Sequence, residues 1–411
     1  LVGDVFLEPD LARLKGSVAI GHVRYSTTGE NLLTNAQPLT AHLLNGPVAI
    51  AHNGNFVNQQ ELRENLKVQG SIFQGTNDTE ILLHLLSKHS SNDLIDALKD
   101  SVVQLKGAFS LVIMSKQEIV AIRDPLGFRP LVLGRMKNQK GENAVVFASE
   151  SCAFDLIGAE MVREIEPGEI FWINAQGEQK SIRFADSPQR AFCIFEHVYF
   201  SRPDSLVFGK SVYESRKKFG AQLAKESPVD ADIVIPVPDS GVAAALGYSQ
   251  ESRIPFEMGI IRNHYIGRTF IQPHQSIRDF GVKIKLNPLG EVLKGKRVIV
   301  IDDSIVRGTT SRKIVNLIRQ AGAQEVHMRI ACPPTVGPCY YGVDTPHRSH
   351  LIAAEKSQLQ IKEFIGADSL SYLSIEGMFE SIHANSKTFC AACFDGKYPT
   401  EEILEKGKNI S

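Results

Sequence analysis

Arg297-Val298-Ile299-Val300-Ile301-Asp302-Asp303-Ser304-Ile305-Val306-Arg307-Gly308-Thr309-Thr310 is the stretch whose reading decides the fold. Its apolar run is short and β-branched, which suits a strand buried in a parallel sheet, and residues 310–318 resume with helical spacing. Two carboxylates therefore stand at a strand's carboxyl end, the edge where open α/β sheets bind ligands. An adjacent Asp pair is also a common turn and helix cap. The loop behind this pair points further. Gly308 with the hydroxyls of Ser304, Thr309 and Thr310 can turn successive backbone N–H groups toward one phosphate, and the helix N-terminus adds a favourable dipole. Acids for ribose hydroxyls and Mg²⁺, then a phosphate cradle, describe a ribose-phosphate site.

Outward from this stretch, strand and helix alternate. Helices are expected over 212–226, 242–249 and 310–320, with strands over 233–237, 256–261, 298–301 and 325–331, the pattern of βαβ units on a parallel sheet. Pro236-Val237-Pro238-Asp239-Ser240-Gly241 follows the 233–237 strand, so it belongs on the same sheet edge as Asp302 and Asp303. These are turn residues in their own right. Beyond Arg262 a long connection carries Arg268, Arg278, Lys283 and Lys285. Connections longer than about 15 residues are commonly functional or disordered.

The first half has another rhythm. Strands are expected over 17–24, 48–52, 109–114, 119–123, 131–133, 144–148 and 169–173, and helices over 59–68, 79–90 and 94–105, which together make a layered α+β domain. A polar stretch, residues 185–190, is the linker candidate, giving domains over 1–187 and 188–411. Gly21-His22-Val23-Arg24-Tyr25-Ser26-Thr27-Thr28-Gly29 and His52-Asn53-Gly54-Asn55 each follow an expected strand. Asn53-Gly54 reads as a plain turn or as an oxyanion hole built from an amide side chain and a Gly N–H. Arg24 can fork onto a carboxylate. Asp78, at a helix start, is either an N-cap or an anchor for an α-amino group.

The chain has 411 residues, 43% of them hydrophobic, enough for two or three cored domains. A net charge of -1 gives no basic surface for nucleic acid, and no apolar stretch approaches the roughly 18 residues of a membrane span. Six cysteines at 152, 193, 332, 339, 390 and 393 are too few and too spread for a disulfide scaffold, which favours a reducing, cytoplasmic setting. Leu1-Val2-Gly3-Asp4-Val5-Phe6 has neither Met nor the composition of a signal or transit segment and reads as chain interrupted in mid-domain, so a plastid or other targeting segment upstream stays open.

Residues 298–310 resemble the signature of the type I phosphoribosyltransferases, which bind phosphoribosyl pyrophosphate (PRPP). Beside it, Asp239-Ser240-Gly241 resembles that family's pyrophosphate loop, and the segment from Arg262 resembles the PRPP lid of its glutamine-dependent members. In the first half, the Arg24, Asn53-Gly54 and Asp78 motifs, with Arg123-Asp124-Pro125-Leu126-Gly127-Phe128-Arg129-Pro130-Leu131, resemble the class II (N-terminal nucleophile) glutamine amidotransferase domain. The two in this order resemble the amidophosphoribosyltransferases, the glutamine–PRPP enzymes that open purine synthesis.

That resemblance implies that Arg24 and Asp78 hold glutamine and that Asn53 and Gly54 stabilise the oxyanion. It implies that Asp302, Asp303, Ser304, Arg307, Gly308, Thr309, Thr310, Asp239, Ser240, Arg262, Arg268 and Lys283 bind PRPP, with Mg²⁺ at Ser240, Asp302 and Asp303. The family's nucleophile is a Cys at the mature N-terminus; Leu1 cannot serve, and the nearest cysteine is Cys152, so an N-terminally truncated chain is expected. Cys193, Cys339, Cys390 and Cys393 match the iron–sulfur branch, which implies a [4Fe–4S] cluster; their spacing alone leaves Zn²⁺ equally open. Purine nucleotides as feedback inhibitors and a homo-oligomer are further implied. A sugar-phosphate amidotransferase would carry an isomerase half in place of 298–310. A non-enzymatic PRPP-binding regulatory module would need a DNA-binding element, which neither charge nor a helix-turn-helix pattern supports.

Overall fold

The computed structural model describes residues 7–23, 32–44, 46–91, 93–137, 141–186, 189–263, 286–345 and 347–400. It divides into two compact units, Leu1–Leu131 with Ile165–Pro188 and Val132–Glu164 with Gln189–Ser411. One crossing falls beside the expected boundary at 187/188. The other two set residues 132–164 with the second unit.

In the first unit six strands form one antiparallel sheet: β1 (Leu39–Leu43), β2 (Gly46–Phe56), β3 (Gly107–Ser115), β4 (Glu118–Arg123), β5 (Glu169–Asn174) and β6 (Gln179–Arg183), side by side in that order. Apolar residues recur at every second position, Ile50 on β2, Phe109, Leu111 and Ile113 on β3, Val120 and Ile122 on β4, all fully buried. Helices α1 (Gln59–Val68), α2 (Glu80–Lys88) and α3 (Leu94–Val102) lay Leu66, Ile81, Leu82 and Leu98 against them, which is the layered α+β arrangement. The Asp93 side chain caps α3, accepting from the N–H groups of Ile95 and Asp96.

The expectation of a strand over 17–24 is corrected. Residues 17–23 carry no strand, with Val18 and Val23 exposed, and position 24 lies outside the described residues.

In the second unit β7 (Ile233–Pro236), β8 (Arg297–Asp302), β9 (Glu325–Ile330) and β10 (Ser369–Tyr372) form a parallel sheet in that order. Helices α4 (Val212–Glu226), α5 (Val242–Ser252) and α6 (Thr309–Gln320) flank a core in which Val298, Ile299, Val300 and Ile301 are wholly buried, as an uninterrupted β-branched run in a parallel sheet requires. The strand expected over 256–261 is split. Phe256 makes one parallel bridge to Val234, and Ile260–Arg262 then pairs antiparallel with Leu286–Pro288. Pro255 and Gly259, both poor ladder residues, bracket the break.

Residues 132–164 form a small antiparallel sheet, Asn143–Ala148, Val132–Lys137 and Glu160–Glu164. Its polar side chains take up backbone donors of 202–209: Glu150 Oε2 accepts from Arg202 N–H at 2.8 Å, Ser151 Oγ from Leu206 N–H at 2.7 Å and Glu164 Oε1 from Gly209 N–H at 3.1 Å.

Candidate functional site

In the first unit Asn53 and Gly54 lie within β2 rather than in a turn behind it, opposite Ser110 and Phe109 of β3. Phe109 exchanges both of its backbone bonds with Asp124, donating to Oδ2 at 3.2 Å and accepting from the Asp124 N–H at 2.8 Å. Gly54 therefore stands in a non-hydrogen-bonded pair, with its N–H directed to the other flank of β2. On that flank the N–H groups two residues away are both taken by side chains. His52 N–H donates to Gln37 Oε1 at 2.6 Å and Phe56 N–H to Asp78 Oδ2 at 2.9 Å. Strand period places the Gly54 N–H between them, past Leu39↔Ile50, the last pair that β1 makes with β2. Gly54 has φ +149°, and a Cβ there would stand 2.0 Å from the Ala108 carbonyl oxygen, so only glycine fits.

Asp78 is not the cap of α2. Asn77 Oδ1 accepts from the Thr79 N–H at 2.9 Å, and the Asp78 carboxylate faces β2 through the Phe56 N–H. Burial pushes its pKa up, but the charge and hydrogen bond of His52 and the N–H groups of Phe56 and Thr79 outweigh this and hold it below the usual value. His52 Nδ1 lies 3.0 Å from Thr79 Oγ1 and 3.7 Å from Asp78 Oδ2. The loop before α2 is pinned by Arg63, which donates to the carbonyls of Gly75 at 2.9 Å and Asn77 at 2.8 Å.

Arg129 is a site residue to which sequence reading gave no role. Its Nε donates to Asn53 Oδ1 at 3.4 Å, which turns the amide's oxygen inward and its NH₂ end away from Arg129. Arg129 is carried on a loop locked by two buried charges. Arg123 donates to the carbonyls of Arg129, Ile165 and Gly127 at 2.9, 2.7 and 3.1 Å. Asp124 accepts the N–H groups of Leu126, Gly127 and Phe128, and burial lifts its pKa to about 6 against the pull of Arg123 and those donors. The signal was the 123–131 motif itself, whose charged residues are too buried to be surface ones. Arg24, expected to clamp a carboxylate, lies outside the described residues.

In the second unit the register Pro236↔Ile301 brings the ends of β7 and β8 level, and the Val237 N–H donates to the Ile301 carbonyl at 2.8 Å. Asp239 and Ser240 thus share the carboxyl edge with Asp302 and Asp303. Both of the latter are only 7% exposed. Burial, then Asp303, drives the Asp302 pKa well above the carboxylate range. Ser304 Oγ donates to Asp303 Oδ2 at 2.6 Å, and the Asp303 N–H to Asp302 Oδ1 at 3.0 Å. Gly308, at φ 73°, turns the chain into α6, leaving Thr309 and Thr310 exposed on its first turn without a side-chain cap. Arg307 is exposed beside the loop. Arg262 is ion-paired to Asp239. Arg268, Arg278, Lys283 and Lys285, and with them the lid segment, lie outside the described residues.

The four cysteines are brought together. Cys193 and Cys390 face each other in a two-residue parallel ladder, and the N–H groups of Val336 and Gly337 donate to the Cys393 carbonyl at 2.9 and 3.1 Å, which joins the loop bearing Cys339 to Cys393. The Tyr341 N–H donates to Cys339 Sγ at 3.3 Å. Burial pushes the Cys390 and Cys393 thiols far up, and Cys193 and Cys339 add to it. Among the described residues no three His, Cys, Asp or Glu side chains close on a single metal ion. Cys152 and Cys332 are buried thiols with raised pKa values, burial being the main cause in each.

A glutamine amidotransferase domain family matches residues 22–155 and a phosphoribosyl transferase domain family residues 215–346. Fold and comparison thus define a glutamine-dependent phosphoribosyl transferase class. Among curated relatives, the chloroplastic amidophosphoribosyltransferase of Glycine max is 54% identical over 98% of this chain and 70% of its own length. The amidophosphoribosyltransferase of Bacillus subtilis is 48% identical over 98% of this chain and 84% of its own. The solved structure of the Bacillus subtilis glutamine PRPP amidotransferase, complexed with ADP and GMP, superposes with a TM-score of 0.90 at 48% identity, covering 98% of this chain and 87% of that one. The chain belongs to the amidophosphoribosyltransferase family.

Proposed function

We propose that this chain moves ammonia, drawn from glutamine, onto carbon 1 of PRPP, giving 5-phosphoribosylamine, pyrophosphate and glutamate, the first committed step of purine synthesis. The observation that carries the reading is the shared edge of the parallel sheet. Two buried carboxylates, a phosphate-sized loop opening α6, and Asp239-Ser240 all stand at the carboxyl ends of adjacent strands.

Asp302 and Asp303 accept from the ribose hydroxyls. The N–H groups of 304–309, with the hydroxyls of Ser304, Thr309 and Thr310, take the 5-phosphate at the helix N-terminus. Asp239-Ser240 and Arg262 frame the pyrophosphate. The adjacent buried carboxylates, which repel one another, suit a divalent cation, and Ser240, Asp302 and Asp303 would hold Mg²⁺, whose charge would steady the departing pyrophosphate. Ammonia needs no strong base, so the chain's task is to align carbon 1 and exclude water.

In the first unit Asp78 takes the α-amino group of glutamine, and the Asn53 amide with the Gly54 N–H faces the tetrahedral oxyanion. Expected on this reading, the Asp302→Asn/Asp303→Asn double variant keeps its fold by circular dichroism and loses PRPP affinity by about 100-fold or more in calorimetry, since hydrogen bonds to charged groups are worth roughly 1.5–3 kcal/mol each. Unchanged affinity in the folded variant would remove the assignment.

The four gathered thiols fit an iron–sulfur cluster by a physical observation. Cys193 is laddered to Cys390 and the loop bearing Cys339 is bonded to Cys393, so four thiols from three segments are gathered, the ligand number such a cluster takes. Cys193, Cys339, Cys390 and Cys393 would hold it, and it would supply a covalent tie between the 193, 337–341 and 390–393 segments.

A further inference from the structure

The four thiols are unequally covered. Cys193 and Cys390 are buried, whereas Cys339 and Cys393 are only half-buried, so one side of the group faces outward. Beside Cys339 and Cys393 the chain lays down a tyrosine. The Tyr398 hydroxyl donates to the Pro338 carbonyl at 2.7 Å, one residue before Cys339. Its ring meets Tyr340 edge-on at 5.1 Å and Tyr341 at 6.4 Å. Two residues further, Thr400 is tied to the same loop, its Oγ1 2.9 Å from the Tyr341 hydroxyl and its N–H donating to that oxygen at 3.3 Å. The opposite wall is shaped to match. A Cβ at Gly337 would stand 2.8 Å from the Tyr398 hydroxyl and 2.9 Å from the Ala392 carbonyl. Nothing in the transfer chemistry uses this strap.

We propose that Tyr398 is a positioning residue that closes the outward side of the four-thiol group, holding the 337–341 loop over Cys339 and Cys393 and keeping water and small ligands from the metal bound there. This rests on the reading of Cys193, Cys339, Cys390 and Cys393 as one metal site. Two parts of the side chain contribute. The hydroxyl fastens the loop at Pro338, and the ring covers the half-buried thiols together with Tyr340. Loss of the ring opens the site, while loss of the hydroxyl alone loosens it.

The test is metal release from the anaerobically purified full chain, followed by the fading of its brown absorbance as an iron chelator is added, for the wild type and for Tyr398→Ala, Tyr398→Leu and Tyr398→Phe. Wild type with about four irons per chain establishes the cluster first. Tyr398→Ala should then release iron about tenfold faster, the scale on which supporting residues act on bound metals, with Tyr398→Phe restoring most of the difference. Tyr398→Leu, which keeps bulk beneath the loop, serves if the alanine variant fails to fold and should also release faster. Release at the wild-type rate from whichever of the two folds, iron content being equal, overturns the proposal. Colourless wild type with one zinc per chain overturns the iron–sulfur reading instead, and zinc transfer to a chromogenic chelator then decides the role of Tyr398 by the same comparison.

Discussion

His197 shows how a single side chain can set an acid limit on this protein. It is wholly buried, its ring set edge-on to Phe208 and Phe389, with Lys210 and Arg216 as the charged groups facing it. Burial first, then those two cations, lowers its pKa from 6.5 to about 4. The folded state therefore binds fewer protons than the unfolded chain between pH 6.5 and 4, so this stability is present above pH 6.5 and is lost as pH falls through that window. The whole effect is of the order of 3 kcal/mol. In urea titrations at pH 7 and pH 4.5, the His197→Phe variant should lose less stability on acidification than the wild type. Equal losses would show that the imidazole does not titrate in that window.

At the scale of the element, the loop 123–131 is held from within. Asp124 ties its own loop to β3 through Phe109 and gathers three further N–H groups, while Arg123 fastens the carbonyls of the same turn. Asp124→Ala should leave several buried donors without acceptors and cost about 3 kcal/mol or more, read as a lowered urea midpoint. If Arg129 orients the Asn53 amide as described, amide exchange at 123–131 should rise in that variant together with exchange in the second half of β2. A change confined to the loop would separate the two. This element also marks what could be read from the sequence. The helices over 59–68 and 212–226 were legible to the residue, because their apolar spacing is unbroken and, for the latter, Ser211 supplies a cap. The edge on which Asp302, Asp303 and Ser240 meet was legible because a parallel strand's end fixes it. The flank of β2 was not. Gln37, His52 and Arg129 come together with Gly54 and Asp78 through pairings between distant segments, and no local periodicity encodes those.

Over the whole molecule, every one of the six cysteines belongs to the second unit, and Asn53-Gly54, proposed to face the oxyanion, to the first. The 411-residue chain should release pyrophosphate from PRPP with ammonium as the nitrogen source, because that step draws only on the sheet edge of the second unit. No pyrophosphate release with ammonium from the folded chain would remove the assignment of the PRPP site to that edge.

The segment 132–164 has one more consequence, for the order in which the protein is made. It leaves the ribosome ahead of nearly all the chain it packs with, because Glu150, Ser151 and Glu164 find their partners only in 202–209, after 165–188 has gone back to complete the first sheet. A nascent chain ending near 190 thus holds a three-stranded fragment whose Glu150, Ser151 and Glu164 side chains still lack the backbone donors of 202–209. Premature release there would leave those acceptors without their partners, so amide exchange within 132–164 should be faster in an expressed fragment ending at the linker than in the full chain.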